Sequence, residues 1–120
     1  MNGLRPLRVA LATLLLAGCS SPAPQRRLDD AELAAVAPLK QQYSGVVMGF
    51  DIKPETTLIV SLDLQQYVDA DDETVAALKR DAVARWRAAW LAAHPHAHAV
   101  LHVQFIDFIG RRVATESTRT

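Results

Sequence analysis

One long amphipathic stretch limits the fold of this chain more than anything else in it. Val75, Leu78, Ala82, Val83, Trp86, Ala89, Trp90 and Ala93 recur at three- and four-residue spacing, the repeat that lines one face of an α-helix. The acidic residues Asp69, Asp71, Asp72 and Glu73 precede it, where the positive end of a helix dipole favours negative charge. Pro95 biases His94 away from helical angles and marks the stop. Trp86 and Trp90 stand one turn apart on the stripe, and at ~150–250 Å² of burial per ring they predict the middle of a core. Lys79 falls at the edge of the stripe, where its stem can lie on the core while the ammonium stays in water.

A helix of this kind needs a sheet to cover, and the flanking sequence supplies strands. From Gly45 the period becomes two, with Val46, Met48, Phe50 and Ile52 on one face and Val47, Gly49 and Asp51 on the other. Lys53-Pro54-Glu55-Thr56 breaks the run as a turn. Alternation resumes with Leu58, Val60, Leu62 and Leu64 facing one way and Thr57, Ile59, Ser61 and Asp63 the other. These two strands predict a β-hairpin. Beyond the helix, Ala99, Leu101, Val103 and Phe105 alternate with His98, Val100, His102, Gln104 and Ile106. Gly110 permits a turn, 112–115 reads as a short edge strand, and the polar tail Glu116-Ser117-Thr118-Arg119-Thr120 is expected to fray.

At 120 residues the chain holds one domain. The order of elements is helix, strand, strand, helix, strand and a short strand. It predicts an α+β fold: a small antiparallel sheet of three or four strands with the long helix on one face. A right-handed crossover is expected to place the third strand beside the first, giving spatial order 2-1-3-4. Asp29 and Glu32, ahead of Leu33 and Val36 and stopped by Pro38, mark either a short helix over 29–37 or a segment free in solution.

The N-terminus carries an address. Met1 to Gly18 combine Arg5 and Arg8 with the apolar run Val9 to Ala17, the layout of a secretory signal and too short for a bilayer span of ~20 residues. The stretch closes on Leu16-Ala17-Gly18-Cys19. It resembles the lipobox of bacterial lipoproteins. That resemblance implies cleavage before Cys19, a diacylglycerol on its sulfur and an acyl group on its amine. It also implies a membrane-anchored lipoprotein facing the periplasm, and Ser20 directly after the cysteine resembles lipoproteins sorted to the outer membrane. Two or three acyl chains anchor stably where one is marginal. Residues 19–28, with Ser20, Ser21, Pro22 and Pro24, read as the lipidated cysteine and a flexible tether, and 29–120 as the domain.

Charge and motif content narrow the function. The formal net charge is zero over 13 basic and 13 acidic residues, and becomes −2 without Arg5 and Arg8. That gives no basic excess for nucleic acid. The single cysteine closes no intramolecular disulfide. No GxSxG, phosphate loop or HExxH occurs, and a trio such as Ser61, Asp63 and His102 arises by chance in any small protein. Enzyme activity is therefore not expected, and no cofactor is called for.

Two readings remain. The first is a protein-binding or assembly module with an envelope protein as partner. Its contact surface would be the uncovered sheet face, where Val47, Ile59, Val100 and Ile106 stand among Thr57, Ser61, His98, His102 and Gln104. The alternative covering is residues 29–43 folded over that same face. The second reading is a periplasmic site for Zn or Cu. His96 and His98, on extended chain, point the same way ~6.6 Å apart. His102 shares their face, but on a regular strand it lies ~13 Å further along. Asp51 or Asp63 are the candidates for a further ligand.

Overall fold

The computed structural model describes residues 23–54 and 56–120, with side chains from residue 27 onward. Its elements are α1 (Ala23–Val36), α2 (Pro38–Gln42), β1 (Val47–Lys53), β2 (Thr57–Leu62), α3 (Leu64–Asp69), α4 (Asp72–Ala93), β3 (Val100–Ile106) and β4 (Arg112–Arg119). The signal, Cys19 and tether residues 19–22 lie outside the described residues. Residues 23–28, expected as tether, are helical. Pro24 stands in the first turn of α1, where a missing N–H costs nothing.

The long helix forms where its repeat places it. Asp71 caps α4 by accepting the Thr74 N–H at 2.7 Å, and this bond holds its carboxyl below the usual range. At the other end the His94 N–H returns to the Trp90 carbonyl at 2.8 Å. Leu78, Ala82, Trp86, Ala89 and Trp90 are buried. The Trp86 indole donates to the Thr56 carbonyl at 3.1 Å, tying the helix to the start of β2.

The fold class is α+β as expected, but the sheet is mixed. Its order is β1-β2-β3-β4, with β1–β2 and β3–β4 antiparallel and β2–β3 parallel. This replaces the expected antiparallel order 2-1-3-4. The chain leaves β2, returns along α4 and re-enters at the end where β2 began, so that Thr57 pairs with His102. The two most apolar strands thereby lie side by side in the middle. Leu58, Val60 and Leu62 of β2 and Leu101, Val103 and Phe105 of β3 form the inner face under α4. The more polar strands, with Gly49 and Asp51 in β1 and the Thr and Arg residues of β4, take the edges.

Three local expectations change. Val47 pairs with Leu62 but Gly49 with Ser61, so Met48 is the extra residue of a β-bulge. The bulge reverses the phase: Val47, expected outward, is buried, while Met48 is 54% exposed. Leu64 does not extend β2; Asp63 caps α3 there by accepting the Gln66 N–H at 3.1 Å. The tail does not fray either. Residues 116–119 complete β4, and the Thr120 hydroxyl accepts the Ala99 N–H at 2.9 Å and donates to the Ala97 carbonyl at 3.1 Å.

Residues 29–43 are ordered and lie on the helix side of the sheet. Val36, Leu39 and Tyr43 join the core, and Pro38 ends α1 and opens α2. The Tyr43 hydroxyl donates to Asp81 of α4. Burial, with the Asp81 carboxylate beside it, pushes that phenol up to about 12. The opposite face of the sheet is therefore not covered by this segment.

Candidate interaction surfaces

The histidines are scattered rather than gathered. His96 sits in a turn with φ of 69°, not on extended chain, because β3 begins only at Val100. His96 and His98 are exposed. The His102 ring nitrogen lies 2.8 Å from the Ser117 hydroxyl, its cross-strand neighbour. Asp63 is engaged as the α3 cap. Among the described residues no three His, Cys, Asp or Glu side chains form a group able to hold a metal ion.

The uncovered sheet face follows from the register. Asp51, Ile59, Gln104 and Thr115 make one row across the four strands, and Lys53, Thr57, His102 and Ser117 make the next. Gly49, Ser61, Ile106 and Arg112 make a third. In this setting Ile59 is only 5% exposed and offers a partner almost no surface. Val47 belongs to the core. Gln104 and Ile106 are half-buried, and Val100, at 45% exposure, stands at the margin opposite Arg119. The face is polar with a sunken apolar centre.

Apolar exposure concentrates instead at one end of the sheet. The loop from β3 to β4 carries Phe108 at 88% and Ile109 at 56% exposure. Asp107, 4% exposed, holds that loop: its carboxylate accepts the Ile109 and Arg111 N–H groups at 3.1 and 2.9 Å. The Arg111 guanidinium lies 3.5 Å from the same carboxylate. Gly110, at φ +86°, supplies a left-handed step that a side chain would strain. Beside the tip, Met48, Leu62, Leu64 and Phe108 line a groove of about 300 Å³ rimmed by Asp63 and Gln65. The bulge that expels Met48 and the cap that ends β2 at Leu62 build this apolar pole.

The chain enters at the opposite pole. Glu32 lies beside His94 at the end of α4, whereas Gln42 and Tyr43 reach Asp81 in its middle, so α1 runs antiparallel to α4. Ala23 therefore lies past the His94 end, far from the Phe108 tip. At this interface Glu32 is 2% exposed and its Oε1 accepts no hydrogen bond. The His94 ring, stacked on Trp90 at 4.4 Å, has its Nδ1 3.9 Å from that oxygen and 3.1 Å from the Trp90 carbonyl. Burial raises the Glu32 carboxyl, His94 draws it partly back and Asp29 adds to the rise.

Phe108 and Ile109 follow the end of β3 at Ile106 and share no period with it, so alternation does not single them out. The usable signal was two large apolar residues directly before Gly110 in a hairpin loop, where polar residues are the rule. Among the described residues no helix is long and apolar enough to cross a membrane. Searches of family models, of curated proteins and of solved structures return no match for this chain.

Proposed function

We propose that the chain is a lipid-anchored protein of the bacterial cell envelope that docks a protein partner rather than performing catalysis. Cys19 carries the lipid and faces the periplasmic leaflet of the outer membrane. The observation that carries the docking reading is the tip: Phe108 stands 88% exposed on a loop whose shape a buried aspartate fixes. A preorganised aromatic loses little freedom on entering a partner's recess, and aromatics are enriched at the centres of interfaces. Arg111 and Arg112 beside it fit an acidic rim on the partner.

The polarity of the domain supports the same reading. The four residues from Cys19 to Ala23 reach at most ~14 Å, so the His94 pole is kept near the membrane and the tip is presented away from it. Labelling with fatty acid tests the anchor. The wild-type chain takes up label and stays in the membrane fraction, and Cys19→Ser loses both. Label entering the Cys19→Ser chain would move the anchor elsewhere.

A further inference from the structure

The edge strand β4 lies open beside α4, and its free backbone groups follow from the ladder. The Thr120 N–H bonds to Ala99 of the preceding chain. In an antiparallel pair successive residues alternate direction, so Thr118, Glu116 and Ala114 turn their N–H and C=O groups toward β3. Thr115, Ser117 and Arg119 turn theirs outward. The Arg119 carbonyl is taken by the Arg87 guanidinium at 3.0 Å. β4 has no neighbour beyond β3, and no hydrogen bond among the described residues satisfies the outward groups of Thr115 and Ser117. The register slips at Val113, which stands unpaired between Phe105–Ala114 and Ile106–Arg112 as a bulge near the start of β4, but from Ala114 to Arg119 the edge is regular and carries no proline.

Alongside this edge runs a groove of about 410 Å³ between α4 and β4. It is lined by Ala76 and Val83 and by the rim residues Lys79, Arg80, Glu116 and Ser117. Neither Lys79 nor Arg80 has an ion-pair partner among the described residues. Arg112 and Arg119 mark the ends of the strand and Arg87 stands over its exit. Against these cations the rim sets only Glu116. A domain of near-zero net charge thus gathers positive charge along one unpaired edge.

We infer that β4 and α4 form a docking cleft for an extended acidic segment of a partner protein, added to the sheet as a fifth strand antiparallel or parallel to β4. The backbone groups of Thr115 and Ser117 supply affinity without regard to sequence, and alternate side chains of the segment enter the groove. There an acidic side chain lays its methylenes on Ala76 and Val83 and its carboxylate at Lys79 and Arg80. The site is separate from the Phe108 tip and stands whether or not Cys19 is lipidated.

The test uses the full chain in detergent micelles and two fluorescein-labelled heptapeptides, Thr-Glu-Thr-Glu-Thr-Glu-Thr and its lysine counterpart. Fluorescence polarisation should show the glutamate peptide binding with a Kd below about 1 mM and the lysine peptide failing to bind. Lys79→Glu with Arg80→Glu should weaken binding at least about tenfold. Thr115→Pro removes an outward donor at an edge position that tolerates proline and should do the same. Amide exchange should slow at Thr115 and Ser117 when the glutamate peptide is added. Equal binding of the two peptides, no binding of either, or protection confined to other residues would overturn the inference. A dimer in sedimentation that Thr115→Pro dissolves would also overturn it, because a second copy of the chain would then own the edge.

Discussion

Replacing Trp86 by alanine should remove most of what keeps α4 on the sheet. The side chain has no exposed surface, and a buried ring of ~200 Å² is worth ~5 kcal/mol at ~25 cal/mol per Å². The unfolded chain already hides part of that area, which lowers the figure to ~3–4 kcal/mol. The lost bond from the indole to the Thr56 carbonyl adds ~1 kcal/mol at most. That carbonyl still accepts the His102 N–H at 3.0 Å, so it is not orphaned. The sum, ~4 kcal/mol, agrees with the ~3–5 kcal/mol usual for a tryptophan truncated in a core. In a domain of this size it lowers the melting temperature by roughly 15 °C or more. Trp86→Phe keeps most of the ring, loses the donor and should cost ~1–2 kcal/mol. Thermal unfolding followed by circular dichroism measures both. A loss under ~1 kcal/mol for the alanine variant would refute the argument, since no fully buried ring can be removed so cheaply.

Asp107→Ala should cost ~1–3 kcal/mol by unbinding two loop N–H groups, and faster amide exchange at Ile109 and Arg111 reads the loosened tip. Removing residues 116–120 should destabilise the domain by more than the ~0.5 kcal/mol of a frayed tail, as chemical denaturation will show. Glu32 has its carboxyl raised in the folded chain above the ordinary 4.5, chiefly by burial. Its contribution to stability is therefore full below pH 4.5 and is lost as pH rises through the raised value. Glu32→Gln should flatten that fall and stabilise the protein near pH 8 by about 1 kcal/mol, which denaturation across a pH series detects.

What could be read from the sequence were elements whose pattern arises from one dominant contact. The stripe from Val75 to Ala93 faces a single sheet, so its period is undisturbed and both ends follow from Asp71 and Pro95. The hairpin of β1 and β2 was legible for the same reason. The pairing of β2 with β3 was not, because antiparallel and parallel neighbours produce the same alternation in Leu101, Val103 and Phe105. Only the direction in which α4 returns the chain decides it. The bulge at Met48 was hidden because a phase slip in a run of apolar residues leaves both faces looking buried. The tail was misread through its polarity: Thr115 and Thr118 are β-branched residues suited to an edge strand, and Thr120 acts through a clamp that composition does not reveal. The histidines illustrate a limit of spacing arguments. His96 and His98 converge only on extended chain, and Pro95 begins a turn that removes that condition.

The proposal that an anchored domain presents Phe108 to a protein partner has one direct measurement. A photoreactive benzoylphenylalanine placed at position 108 of the full chain, with Cys19 intact, is illuminated in cells and the adducts are identified by mass spectrometry. The account predicts a discrete protein adduct recovered in the membrane fraction and lost when Asp107→Ala loosens the tip. An adduct with phospholipid, or a chain that forms no adduct at all, would contradict it.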